Sequence, residues 1–580
     1  MKKTWFQEAR FGLFIHWGIY AVQAGIWKGK EVPGVGEQIF RCARIPAAEY
    51  EPIAKEFNPE RFDADLWMKM ASDAGMKYVV FTAKHCDGFA MFHTEVSDFC
   101  VTKATPFGRD IVRELAEACR KYGLIFCLYY SQRQDWHEPD GVWAEWEGQF
   151  PVPVAVRGFD FTRYMNAKAL PQMRELLTNY GPLGLIWYDT PIDMTEEQSK
   201  LFADLVHELQ PGALVCSRVG NGCGDYEVLG DNEFPYCPDE LGGEVPATMN
   251  HTWGYKSWDH DWKTAGDLLY SLIRSVANGC NYLLNVGPMA TGEFPEQSIR
   301  LLGELGRWMK INGFGIHGCR SVPFAVPLEN VHATTRENHL HLFFDNQHWC
   351  SNGTFVLEGI CNDVQKAWLP AAPDVNLTVE KRGRAWVISG LPADAPGEWF
   401  SMIDITLDGA VITEKELIQS HSGTVALLSG RARVEDAGSL KIDTRGLPAY
   451  FNPGSGKLVW DFQVNQPGKF RLELLSNRHW SEKWIDGIVL GWTLDGVPHR
   501  KLLTADQPLD NIQSHYHPET ISLLDTVEIT QPGKHTLTAE ILEMPDFDVL
   551  DTGCGNKMDG EYLQDRRTLQ LIRVSLIPEL

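Results

Sequence analysis

Through the first half of the chain, short unbroken apolar runs alternate with longer stretches whose apolar residues recur every three or four positions. The runs are Phe11-Gly-Leu-Phe-Ile15, Lys77-Tyr-Val-Val-Phe-Thr82, Leu124-Ile-Phe-Cys-Leu-Tyr-Tyr130, Leu185-Ile-Trp-Tyr188, Leu214-Val-Cys216 and Asn281-Tyr-Leu-Leu-Asn-Val286. Apolar runs this short, bounded by turn residues, read as buried strands. The helical spacing falls on residues 46–57, 63–74, 110–122, 161–180, 195–209, 264–278 and 295–312. Gly75 and Gly123 stop two of these helices, and Thr195 caps a third with Glu196 and Glu197 in its first turn. Residues 217 to about 246 show neither period and read as one long loop.

Strand–helix alternation of this kind builds parallel βα units, and polar residues at the strand tips point to a (β/α)8-like TIM barrel. A doubly wound sheet would place a Gly-rich phosphate loop after its first strand, and Gly18-Ile-Tyr-Ala21 is not one. From Ser321 onward the strands shorten and alternate, punctuated by Asn352-Gly353, Asp408-Gly409, Pro453-Gly454, Asp495-Gly496 and Pro532-Gly533. That is the texture of β-sandwiches. The expected division is a barrel over residues 1–320, a β-sandwich over 321–432 and a second β-sandwich over 433–580.

At 580 residues the chain is too long for one core, in keeping with that division. The net charge of −24, with no Lys/Arg-rich block, argues against nucleic acid and anionic membranes and suits a neutral ligand. Met1-Lys-Lys-Thr-Trp-Phe6 has no apolar core of a signal peptide behind it, so a cytoplasmic location is expected. No run approaches the ~18 apolar residues of a membrane span. The 13 cysteines are scattered without a Cys-x-x-Cys pair, a reduced pattern that offers neither a disulfide framework nor a zinc site. Twenty tryptophans supply flat faces that suit sugar rings as well as cores.

The strand tips collect His16, Lys84-His85-Cys86-Asp87, Tyr129, Asp189 and Arg218, and the loops add Glu37 and Glu244. Cleaving a glycosidic bond requires two carboxyl groups, one to attack or support the oxocarbenium ion and one to protonate the leaving oxygen. Asp189 suits the first role because it ends a rigid strand; capping the following helix is its competing role. Glu244 suits the second because its loop could fold over the same mouth. Imidazole, guanidinium and indole groups are what a sugar's hydroxyls and flat face require.

Taken together, Arg10-Phe-Gly-Leu-Phe-Ile-His-Trp-Gly18, Met76-Lys-Tyr-Val-Val80, Ala83-Lys-His-Cys-Asp-Gly-Phe-Ala-Met-Phe92, Leu128-Tyr-Tyr-Ser131, Gly184-Leu-Ile-Trp-Tyr-Asp189, Trp253-Gly-Tyr255 and Asn281-Tyr-Leu-Leu-Asn-Val-Gly-Pro288 stand in a recognisable order. Over roughly residues 5–325 the chain resembles the α-L-fucosidases of glycoside hydrolase family 29. The resemblance implies a retaining exo-enzyme without cofactor or metal, acting on a fucosylated oligosaccharide or glycoside. It implies Asp189 as nucleophile and Glu244, shortly before Trp253-Gly-Tyr255, as acid/base, with Glu37 as the substitute. It implies His16, Glu37, His85, Cys86, Tyr129, Arg218 and Trp253 around the sugar, with Tyr130 competing for the role of Tyr129.

Three positions depart from the family pattern. Cys86 stands where a second His is usual, Gly243 where a Trp often precedes the acid, and Gln38 where a Trp often follows the first-loop Glu. A thiol is a weak hydrogen-bonding group, so a roomier pocket for another sugar, such as an α-L-galactoside or a decorated fucoside, is the alternative specificity. A non-catalytic glycan-binding relative is the alternative class. In the last sandwich, Trp480, Trp484 and Trp492 are candidates for stacking on a glycan, with packing as the competing role.

Overall fold

The computed structural model describes residues 4–141, 148–151, 158–238, 242–436, 438–477, 487–509, 518–545 and 568–579. Among these, eight strands of the first half pair in parallel: β1 (Phe11–Ile15), β2 (Tyr78–Lys84), β3 (Ile125–Ser131), β4 (Leu185–Asp189), β5 (Leu214–Val215), β6 (Glu227–Val228), β7 (Gly243–Thr248) and β8 (Asn281–Val286). Each neighbours the next in chain order, and β8 returns to β1. The gap between β5 and β6 is closed by a parallel bridge from Cys216 to Tyr226. There the Ser217 N–H donates to the Tyr226 carbonyl at 2.9 Å and the Asp225 N–H to that of Val215 at 2.7 Å. The ring is a (β/α)8-like barrel.

β1, β2 and β8 are buried at every position. This is why they read as continuous apolar runs: a barrel strand is covered on both faces. The longer helices are α1 (Ala64–Asp73), α2 (Ile111–Tyr122), α3 (Leu170–Asn179), α4 (Glu196–Leu209), α5 (Ala265–Ala277) and α6 (Glu296–Asn312), of which α1, α2 and α4 carry local start or stop signals. Asp63 and Asp110 accept the N–H groups of Leu66 and Arg113, and Thr195 forms a capping box with Gln198. Gly123, at φ 68°, ends α2 in the left-handed conformation.

Two expectations are corrected here. Residues 46–57 are not one helix: an α-turn, Ala47–Tyr50, passes into a 3-10 segment, Glu51–Glu56, at Pro52. The stretch expected as a loop from 217 to about 246 holds the sixth and seventh barrel strands. β6 is two residues long, and β7 reads Gly-Glu-Val-Pro-Ala-Thr, so neither shows an apolar run. Pro246 is tolerated because β6 pairs with β7 only through Gly243 and Glu244, leaving no donor required beyond them on that side. No α-helix among the described residues separates β5 from β6 or β6 from β7.

The chain divides into two compact units, the first made of residues 1–230, 242–268 and 281–313 and the second of the remainder. The second unit holds two antiparallel sandwiches with separate cores, one around Leu342, Trp386 and Ile405, the other around Trp460, Leu472 and Val574. Leu417–Ile418 and Val425–Leu428 pair with Phe462–Gln463 and Arg573–Leu576, so the second sandwich begins ahead of the expected boundary at 433. Trp492 is no glycan platform: it is 2% exposed, lies in that core and stacks on His499 at 3.8 Å. Trp480 and Trp484 lie outside the described residues.

Candidate active site

Asp189 is the last residue of β4, and its carboxylate is held at both oxygens. The Tyr129 hydroxyl donates to Oδ2 at 2.9 Å, and Arg218 Nη1 donates to Oδ1 at 3.2 Å. Its backbone N–H donates to Gln132 Oε1 at 2.8 Å, which fixes the strand end itself. Arg218 sits on a short 3-10 turn after β5 and is anchored by donating to the Leu229 carbonyl at 3.0 Å. Its guanidinium lies 4.8 Å from the centre of the Trp187 ring. The competing role for Asp189, a helix cap, is excluded: Thr195 caps α4.

The phase of β3 settles the choice between two tyrosines. Tyr129 faces the barrel interior, between His85 (5.2 Å, 6°) and Trp187 (5.6 Å, 22°). Tyr130 faces α3, where its hydroxyl donates to Gln172 at 2.9 Å. His16 follows β1, with Nδ1 2.7 Å from Asn285 Oδ1, and Asn285 in turn donates to the Trp253 carbonyl at 2.8 Å. The His16 ring lies 5.5 Å from that of His85 and 5.1 Å from that of Trp253. Burial holds His85 well below the usual imidazole range, with His16 and Lys84 adding to the effect, so His85 is neutral near pH 7.

Glu37 is 1% exposed, and its Oε2 accepts the Gly254 N–H at 2.8 Å. Cys86 is 2% exposed, and burial pushes its thiol well up, reinforced by the charges of Asp189, Asp87 and Glu37. It therefore stays a thiol and does not serve as a nucleophile. Asp189, Asp87 and Glu37 thus all lie within electrostatic reach of Cys86. The flanking residues of the Lys84-His85-Cys86-Asp87 motif brace it. Lys84 Nζ reaches Tyr164 Oη at 3.0 Å and Asp135 at 3.4 Å, and Asp87 accepts from the Tyr50 hydroxyl at 2.8 Å and the Phe89 N–H at 3.2 Å.

The one sequence-derived candidate that the structure takes away from the mouth is Glu244. It was expected on a loop; it is the second residue of β7, opposite Asn281 at the N-terminal end of the strands, whereas Asp189 ends its strand at the other end. It is fully buried and accepts three hydrogen bonds, from Tyr78 at 2.6 Å, Trp187 at 2.8 Å and Tyr226 at 3.3 Å. A general acid has to reach the leaving oxygen, and a carboxyl closed in on three sides below the Trp187 indole does not.

Three participants were missed. Gln132 and Trp187 carry no signal beyond their positions in or just after a strand. Asn285 does: a polar residue near the C-terminal end of an apolar barrel strand points at the mouth, although its segment reads mainly as fold. Among the described residues no group of three or more His, Cys, Asp or Glu side chains is arranged to hold a metal, and no helix is long and apolar enough to cross a membrane.

A family model described as alpha-L-fucosidase matches residues 1–314. The tissue alpha-L-fucosidase of Macaca fascicularis is 30% identical over 381 residues, covering 61% of this chain and 77% of that protein. Among solved structures, the chain is similar to the alpha-L-fucosidase of Vibrio sp. strain EJY3, with a TM-score of 0.85 and 28% identity over 100% of this chain and 98% of that one. It is similar to alpha-L-fucosidase isoenzyme 1 of Paenibacillus thiaminolyticus, with a TM-score of 0.64 and 34% identity over 70% of this chain and 99% of the other. An alpha-L-fucosidase of Lactobacillus casei, solved in complex with Fuca(1,6)GlcNAc, gives a TM-score of 0.51 and 39% identity over 54% of this chain and 99% of its own.

Proposed function

The chain belongs to the α-L-fucosidase family and is a glycoside hydrolase acting on fucosides; on that premise we propose that it is a retaining exo-enzyme in which Asp189 is the nucleophile. The observation that carries this is the clamp on Asp189: a carboxylate at a strand tip, held at both oxygens by Tyr129 and Arg218, has one fixed approach to a sugar in the mouth. Its oxygen attacks the anomeric carbon as the leaving oxygen takes a proton from the acid, giving a fucosyl ester. Water, deprotonated by the same acid/base, then attacks that carbon and frees Asp189. His16, His85 and Trp253 line the space beside Asp189 and bind the sugar's hydroxyls and apolar face.

The acid/base role passes from Glu244 to a carboxylate leaving the C-terminal ends of the strands. Glu37 accepts the Gly254 N–H, and a carboxylate in that place suits accepting from a sugar hydroxyl. Asp231, half-buried and three residues along the chain from Val228 at the end of β6, is our candidate for the acid.

Azide separates the roles. Asp189→Ala should abolish hydrolysis of 4-nitrophenyl α-L-fucoside and, with azide, give the inverted β-L-fucosyl azide. The variant lacking the acid/base should lose far more on Fuca(1,6)GlcNAc, the disaccharide bound by the Lactobacillus casei enzyme, than on the activated aryl fucoside, and azide should yield the α-azide. Hydrolysis by Asp189→Ala at the unmodified rate would sink the assignment. Equal losses on both substrates for Asp231→Asn, with unequal losses for Glu37→Gln, would move the acid to Glu37.

A further inference from the structure

Below the mouth lies a buried acid that the reaction does not consume. We propose that Glu244 is a positioning residue: it fixes the Trp187 indole, and through that indole the two side chains that clamp Asp189. The inference rests on the reading of Asp189 as nucleophile.

An indole N–H is a donor only, so a buried tryptophan needs an acceptor, and Glu244 Oε2 supplies it at 2.8 Å. The anchored ring then meets Tyr129 on the one hand (5.6 Å, 22°) and the Arg218 guanidinium on the other (4.8 Å). Those two residues hold Oδ2 and Oδ1 of Asp189. A tilt of the indole therefore displaces both clamps together.

A carboxylate suits this place better than an amide. Three donors, Tyr78, Trp187 and Tyr226, converge on its two oxygens, and a carboxylate has lone pairs for all of them. An amide leaves a single oxygen for the donor-only indole and Tyr226, and meets Tyr78 with its own N–H groups unless the Tyr78 hydroxyl rotates. The sequence makes room for the arrangement at Gly12, where a Cβ would stand 2.4 Å from the Tyr78 ring. The titratable and charged groups facing Glu244 are Tyr78 from β2, Cys127 from β3, Cys216 and Arg218 after β5, and Tyr226 before β6. Arg218 thus lies in the field of both acids, Asp189 above and Glu244 below. Burial pushes Glu244 up to about 7, against the pull of its three donors and Arg218.

The test uses the full chain and both substrates named above. Glu244→Gln should lower kcat by about 10²-fold, the scale of an ångström-sized misplacement of a reacting group. The loss should be equal for aryl fucoside and disaccharide, with the basic limb of the pH–rate profile kept. Combined with Trp187→Phe, which removes the N–H that Glu244 serves, the losses should be less than additive. A greater loss on the disaccharide, or loss of the basic limb, would make Glu244 the acid and overturn the proposal. So would an unchanged kcat accompanied only by a lower Tm.

Should Glu244→Gln fail to fold, single-ring variants decide. Trp187→Phe should reduce kcat, whereas Tyr226→Phe, which leaves the indole bond intact, should lower Tm and spare kcat; the reverse pattern refutes the idea. Asp189→Ala stands as the control: if it still turns over, the nucleophile reading fails, whatever Glu244 does.

Discussion

Asp87 offers a test of the buried electrostatics around the mouth. It is 1% exposed, and burial raises its carboxyl from 3.8 to about 7, against the Tyr50 and Phe89 hydrogen bonds that favour the charged form. The perturbation is Asp87→Asn. Asparagine keeps the shape, its oxygen still accepts the Phe89 N–H, and its amide can donate to the Tyr50 oxygen, whose hydroxyl can rotate. What changes is the ability to ionise.

In the unfolded chain Asp87 loses its proton near pH 4, in the folded one near pH 7. Between those values the native state binds more protons than the unfolded state, so stability falls as pH rises. A span of about 3 pH units at ~1.36 kcal/mol each comes to about 4 kcal/mol. Relative to Asp87→Asn, the unmodified chain should be equally stable at pH 4, fall behind steadily to pH 7, and trail by a constant margin of about 4 kcal/mol above it. Urea unfolding of both proteins at pH 4 to 8, followed by tryptophan fluorescence, measures the difference curve. A flat curve, or one in which the unmodified chain gains as pH rises, would refute the reasoning.

Gly12→Ala would place a methyl 2.4 Å from the Tyr78 ring; it should destabilise the protein by ~1–3 kcal/mol, the usual cost of overpacking, read as a lower urea midpoint. Asp135 is sealed with Lys168 at 3.0 Å and Lys84 at 3.4 Å. Lys168→Met should cost ~3–5 kcal/mol, as expected when a buried charge loses its partner, and more than Lys84→Met, because Lys168 also serves Glu138 at 3.0 Å; thermal unfolding would reverse this order if Lys84 were the principal partner. Cys86→His should lower KM for a simple fucoside if the thiol stands where an imidazole would hold a sugar hydroxyl, and an unchanged KM would remove Cys86 from the sugar's contacts.

Local chemistry determined much of this protein. Strands covered on both faces have to be apolar along their length, so β1 to β5 and β8 are visible as runs, and Asp63, Asp110, Thr195 and Gly123 mark helix ends by hydrogen bonds made within a few residues. An acid, histidines and an arginine at the ends of such runs had to gather at one mouth, because parallel strands bring their tips to the same side.

Tertiary structure decided what local chemistry cannot encode. β6 and β7 exist only because the ring must close, so a two-residue strand and a Gly-Glu-Val-Pro segment pair where their own sequence would not. That closure placed Glu244 at the opposite end of the barrel from Asp189, because a residue's height in a barrel is set by register with its neighbours and not by its distance along the chain. It also chose Tyr129 over Tyr130, since strand phase depends on which face meets the barrel interior. Trp492 went to the core for the same reason: a flat apolar ring is equally suited to a sugar or to packing, and the surrounding strands decide which it meets.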